Sequence, residues 1–84
     1  MDERQFVALC KKELVDYINH QYEDIKIDES YVYVVWLCKI LKNSKALLST
    51  TIEDGMYYEM TYNGDTGELY VDAYEKTYNF SVIV

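Results

Sequence analysis

The 84-residue chain contains no proline, three glycines, two cysteines, one histidine and one tryptophan. Two cysteines 28 positions apart, Cys10 and Cys38, with a single histidine, cannot build a disulfide scaffold or a zinc module of ordinary spacing. No apolar run reaches the length of a membrane span, and Asp2, Glu3 and Arg4 do not fit a standard secretory leader. Bases are scarce: eight against fifteen acids, for a net charge of −7. That balance disfavours direct nucleic-acid binding. Ten kilodaltons is too little for two cores, so residues 1–84 form a single domain. Its expected stability is roughly 4–13 kcal/mol. Half the residues are apolar, which excludes a disordered chain, and ten are tyrosine.

Residues 2–20 have the signature of a helix. Asp2 is a good N-cap, Gln5 completes a capping box, and Met1 is placed to staple onto Phe6. Phe6, Leu9, Cys10, Leu14, Tyr17 and Ile18 repeat at helical spacing and form one stripe. Arg4, Lys11, Lys12, Asp16 and Asn19 fall largely on the other side. Residues 21–30, with Glu23, Asp24, Asp28 and Glu29, read as a connection.

From Tyr31 onward β-branched and aromatic residues dominate. Four strands are expected, over about Tyr31–Leu41, Lys45–Ile52, Met56–Asn63 and Glu68–Glu75. The separators are Lys42-Asn43-Ser44, Glu53-Asp54-Gly55 and Gly64-Asp65-Thr66-Gly67. All three glycines lie in them, where positive φ is most useful. Thr77–Val84 alternates again and reads as a fifth strand or a packed tail. The expected architecture is α+β: an N-terminal helix packed on a four-stranded antiparallel β-meander, with a fifth C-terminal strand as the option at the end.

Parity assigns the faces. In the third strand Met56, Tyr58, Met60 and Tyr62 face the helix; in the fourth, Leu69, Val71 and Ala73 do. A three-residue loop at 53–55 sets Leu48 opposite Met60, and a loop at 42–44 sets Cys38 opposite Leu48 and Trp36 opposite Thr50. The inner layer is then Val32, Val34, Trp36, Cys38, Ile40, Ala46, Leu48, Tyr58, Met60, Leu69 and Val71. A slip of one residue would turn a strand's whole set to the wrong side.

The outer face should carry Tyr33, Val35, Leu37, Leu47, Tyr57, Tyr70 and Tyr74, with Glu59 and Asp72 among them. A solvated antiparallel face is normally polar. Burying one large apolar side chain is worth roughly 1.5–3 kcal/mol, so this face favours a cover. The candidates are the tail (Tyr78, Phe80, Val82, Ile83), a second copy, or a foreign protein. Tyrosine supplies amphipathic contact area at interfaces. Tyr57, Glu59, Tyr70, Asp72 and Tyr74 are therefore the candidate partner-binding residues.

No catalytic, cofactor or metal site stands out. A lone His20 near a helix end more often complements the helix dipole than binds metal. Cys10 and Cys38 both point inward on this parity and read as buried, reduced thiols. Ser49, Thr50 and Thr51 are ordinary strand residues, and Gly64 and Gly67 have the spacing of a turn rather than a phosphate loop. Glu59 and Asp72 are expected neighbours, but paired carboxylates on an open sheet lack the pocket that acid–base chemistry needs. Enzymatic activity is not expected. Residues 1–30 sum to −4, residues 31–52 to +3 and residues 53–84 to −6. The acidic part suits a basic partner, while Lys39, Lys42 and Lys45 on the first hairpin could meet a phosphate.

Several runs resemble a small family encoded by phages and prophages of Gram-positive bacteria. They are Val32-Tyr33-Val34-Val35-Trp36, Cys38-Lys39, Lys45-Ala46-Leu47-Leu48-Ser49-Thr50-Thr51, Asp54-Gly55-Met56-Tyr57-Tyr58-Glu59, Thr61-Tyr62-Asn63-Gly64-Asp65 and Asp72-Ala73-Tyr74. The opening helix, with Phe6, Cys10, Lys11 and Lys12, is similar too. The likeness runs to about residue 76 and stops short of Thr77–Val84. That family has no known function. The resemblance implies a phage origin and a cytoplasmic site of action in the bacterial host cell, and brings no catalytic residues. The expected function is protein–protein binding, as an accessory protein inhibiting a host or anti-phage defence protein. The alternatives are a structural homo-oligomer, such as a homodimer, and a small-ligand sponge.

Overall fold

Helix α1 (Glu3–Gln21) starts where its capping box sets it. Asp2 Oδ1 accepts from the Gln5 backbone N–H at 2.8 Å, and Gln5 Oε1 accepts from the Asp2 N–H at 2.9 Å. Two of the otherwise unpaired first-turn donors are thereby satisfied. Met1 stays half exposed. The computed structural model describes all 84 residues. After α1 come a short 3₁₀ turn (Glu29–Tyr31) and four strands: β1 (Val32–Ile40), β2 (Asn43–Thr50), β3 (Met56–Asn63) and β4 (Glu68–Glu75). They form one antiparallel sheet in the order β1-β2-β3-β4. The chain is thus an α+β fold with an open sheet. No helix is long and apolar enough to cross a membrane.

The core lies between α1 and one face of the sheet. Phe6, Cys10, Leu14 and Ile18 form a four-spaced row along the helix and are fully buried. They meet Val32, Ala46, Leu48, Tyr58 and Met60 from the sheet. Leu9 and Tyr17, also expected on the stripe, sit at its margin. Tyr17 is partly exposed and stacks edge-on against Tyr58, ring centroids 6.1 Å apart.

One buried residue comes from the connection, where acidic composition concealed it. Ile27 belongs to the core because Asn19 clamps its backbone. Asn19 Oδ1 accepts from the Ile27 N–H at 2.8 Å, and Asn19 Nδ2 donates to the Ile27 carbonyl at 3.0 Å. This is a two-point mimic of strand pairing, made by a helix side chain assigned from sequence to the opposite face. Asn19→Ala should cost about 1–3 kcal/mol, because it leaves both polar groups of a part-buried peptide unpaired. Urea melts of the two proteins measure this, and Asn19→Asp, which keeps only the acceptor, should fall between them.

The β1 register departs from simple alternation. Val34 pairs with Leu48, but the next pair is Trp36 with Leu47, so Val35 is bulged. Parity reverses beyond it. Trp36, Cys38 and Ile40 leave the inner layer where alternation placed them, and all three are exposed. Leu37, expected outside, pairs with Ala46 and packs on the core. Cys38 therefore faces Lys45 rather than Leu48, and Trp36 does not meet Thr50. The exchange has a physical rationale. A buried indole needs a partner for its N–H, whereas Leu37 fits under the helix without that demand.

The hairpin links also differ. β1 and β2 are joined by Leu41 and Lys42 alone, with Leu41 in the left-handed region at φ 57°. The β2–β3 link spans residues 51–55, and Leu48 pairs with Tyr58, not Met60. That shift is two residues, so the faces survive it. Gly55 and Gly67 adopt positive φ as expected, but Gly64 does not. A Cβ on Gly64 would lie 2.3 Å from the Lys42 carbonyl oxygen, so close approach is what requires glycine there.

β4 overhangs the helix. Val71 and Ala73 pair with Met60 and Tyr58 and so lie on the inner face, yet both are exposed; only Leu69 packs on the core. Thr77–Val84 is neither a fifth strand nor a packed tail. It leaves the sheet beyond Lys76, whose N–H donates to the Gly55 carbonyl at 2.8 Å, and every one of its residues is exposed.

Candidate functional site

The antiparallel register lays the outer face out in rows. Tyr33, Ser49, Tyr57 and Tyr74 form one row. Trp36, Leu47, Glu59 and Asp72 form the next, and Cys38, Lys45, Thr61 and Tyr70 the third. The five residues singled out from sequence, Tyr57, Glu59, Tyr70, Asp72 and Tyr74, thus share one face. Tyr57 stands directly opposite Tyr74, and Glu59 opposite Asp72. Parity succeeded because β3 and β4 pair without a bulge.

Sequence reasoning missed two members of this surface. The bulge at Val35 turns Trp36 and Cys38 onto it, next to Leu47 and Lys45. Nothing in the uninterrupted run from Val32 to Leu37 signals the reversal. Trp36 is 40 % exposed, Tyr33 46 %, Tyr70 48 % and Tyr74 52 %. The tail does not cover them: Tyr78 and Phe80 pack on each other, centroids 5.6 Å apart, and stay open to solvent.

Charge is unevenly matched. Glu59 and Asp72 are like charges directly opposite, an unfavourable cross-strand pair. Lys45 relieves it, with Nζ 3.7 Å from Glu59 Oε1. Lys42 of the basic hairpin is engaged at 3.3 Å by Asp65 of the β3–β4 turn. Asp72 takes part in no ion pair and remains the free carboxylate of the patch.

The two thiols have different surroundings. Cys10 is fully buried, and loss of solvation pushes its pKa up to about 12. Cys38 is exposed on the outer face, not buried as alternation implied. His20 Nδ1 lies 3.1 Å from the Asp16 carbonyl oxygen in the last turns of α1. No group of three or more His, Cys, Asp or Glu side chains is placed to hold a metal ion. A shallow depression between the start of α1 and the end of β1 is lined by Glu3, Phe6, Leu37, Cys38, Lys39 and Ser44. It includes none of the five patch residues.

Residues 7–84 match the model of a family described as "Family of unknown function (DUF6275)". The match takes in Thr77–Val84, which the resemblance drawn from sequence had left outside. No curated protein and no solved structure matches the chain. The chain belongs to the DUF6275 family.

Proposed function

We propose that this DUF6275 member acts by binding another protein through the open face of its sheet. The observation that carries the reading is the uncovered aromatic surface: Tyr33, Trp36, Tyr70 and Tyr74 are each about two-fifths to one-half exposed, and the chain's own tail leaves them so. Aromatic side chains with a few charges among them are the composition of interface hot spots. The acidic charge of β3 and β4 favours a partner with a basic surface, and such charge raises encounter rates more than it tightens the complex. The resemblance to phage and prophage proteins supports a host or defence protein as that partner, bound and inhibited in the bacterial cytoplasm.

The test is capture from host lysate with the native chain and with Tyr70→Ala/Tyr74→Ala. Both side chains are half exposed, so the variant should keep its fold. Loss of two anchors should weaken binding by at least about 30-fold. Cys38 provides a second readout, because it shares a row with Tyr70. A partner seated on this face should slow alkylation of Cys38. A captured protein that binds the double variant equally and leaves Cys38 open would refute the site.

A further inference from the structure

We propose that the β4 edge and the adjoining residues 76–80 form an antiparallel self-pairing, joining two copies of this chain into one continuous eight-stranded sheet. The two ends of the sheet are unequal. The β1 end is broken by the Val35 bulge, one of the devices that keep an edge from pairing. The β4 end has no bulge, and its charges are Glu68, Asp72 and Glu75. Its register with β3 runs unbroken from Met56–Glu75 to Asn63–Glu68, and the chain holds no proline. Lys76 donates its N–H towards β3, so by the alternation of an antiparallel ladder the peptide groups of Leu69, Val71, Ala73 and Glu75 face the open edge.

The tail follows directly on β4. Tyr78, Phe80, Val82 and Val84 alternate with Thr77, Asn79 and Ser81, and no charged side chain interrupts them. Tyr78 and Phe80 pack on each other, every residue of the segment is exposed, and Ile83 is 100 % exposed. The radius of gyration is 14.0 Å, against about 12 Å for a globular domain of this length. An uncharged segment of this apolarity, held out from its own core, favours a second surface.

Charge selects the occupant and the register. Lys76 is the only base after residue 45, and it takes part in no ion pair within the protomer. A two-fold axis through Tyr74 sets Lys76 opposite the partner's Asp72, and the symmetry makes the contact twice. The same register puts Tyr74 against the partner's Tyr74 and Tyr78 against the partner's Tyr70. It places Ala73 and the partner's Glu75 as a hydrogen-bonded pair, as the free peptide groups require. An axis through Asp72, Glu75 or Lys76 would oppose like charges. Tyr70, Tyr74, Tyr78 and Phe80 of each copy line the junction. At about 150–250 Å² per aromatic, covering half of that area in both copies comes to roughly 600–1,000 Å²; the paired backbones carry it past the ~1,000 Å² where specific interfaces begin. The junction takes up Tyr70, Asp72 and Tyr74 at the β4 end of the outer face and leaves Tyr33, Trp36, Leu47 and Tyr57 of that face open, and the oligomeric state is measured on the isolated chain without a foreign partner.

Sedimentation velocity on the isolated native chain, with Lys76→Asp and with Asp72→Lys/Lys76→Asp, tests the proposal. The native chain should be a dimer at about 100 μM. Two attractions turned to repulsions in Lys76→Asp should weaken dimerisation about tenfold or more, and the swapped pair should restore it. Removal of residues 77–84 should also give monomers. In the dimer the amides of Val71 and Ala73 should be protected from hydrogen exchange and lose that protection on dilution. A native chain that is monomeric at this concentration, or a dimer indifferent to Lys76→Asp, overturns the pairing. Either result is read without a foreign partner and leaves the proposed function standing.

Discussion

Phe6→Ala should remove a large share of the stability of this fold, a loss of about 3–5 kcal/mol against a total of roughly 4–13. Phe6 is 1 % exposed and begins the row Phe6, Cys10, Leu14, Ile18 that fills the space above β1 to β3. With helices on one side only, no second layer can collapse into the cavity. Trp36→Ala is the informative contrast. Tryptophan is the largest side chain here, and alternation from Val32 places it under the helix, where truncation would cost as much as at Phe6. The Val35 bulge puts it outside at 40 % exposure, so its removal should cost under about 1 kcal/mol in the isolated chain. Leu37→Ala, on the inner side of the same strand, should cost more than Trp36→Ala although the residue is smaller. Urea midpoints for the three variants decide the order. If Trp36→Ala proves costlier than Leu37→Ala, β1 does not carry the bulge described.

That contrast also shows how far the sequence was legible. α1 was readable because its signals agree: Asp2 and Gln5 cap it, and four buried residues recur every fourth position. β3 and β4 were readable because apolar and polar residues alternate there and tight glycine turns bound them. Tyr57, Glu59, Tyr70, Asp72 and Tyr74 come from those two strands, and for that reason parity placed all five correctly. β1 offered no such contrast. In Val32-Tyr33-Val34-Val35-Trp36-Leu37 either parity buries apolar side chains, so pattern cannot locate an inserted residue. The loop before β3 was misjudged by two residues without consequence for the faces. The clamp on Ile27 was hidden for another reason: it depends on Asn19, eight residues back, and a single side-chain contact leaves no periodicity to detect. The exposure of Val71 and Ala73 was equally hidden, because parity assigns a face but does not say how far the helix reaches across it.

Alkaline pH should destabilise the protein through two buried groups. Burial lifts Cys10 from 9.0 to about 12. Tyr58 rises from 10.0 to about 12, first through burial and then through the negative charge of Asp54. Both sit in the core with almost no exposure. Their folded pKa values lie above the unfolded ones, so the folded state holds protons that the unfolded state releases. The stabilisation is complete below the unfolded values and is lost as pH rises through the interval up to about 12. Each group contributes a slope of up to about 1.4 kcal/mol per pH unit in its interval. Stability should therefore be little affected by these two up to about pH 8.5, then fall by roughly 2–4 kcal/mol by about pH 11, Cys10 acting first. Urea denaturation across this range measures the slope. Cys10→Ala starts from lower stability because it empties a buried site, but its curve should be flatter between about pH 8.5 and 10, where the thiol alone contributes. Cys38→Ala, which alters only the exposed thiol, should follow the native curve. Identical slopes for the native chain and Cys10→Ala in that interval would show that Cys10 does not stay protonated in the core, and would leave Tyr58 as the only one of the two able to contribute to alkaline unfolding.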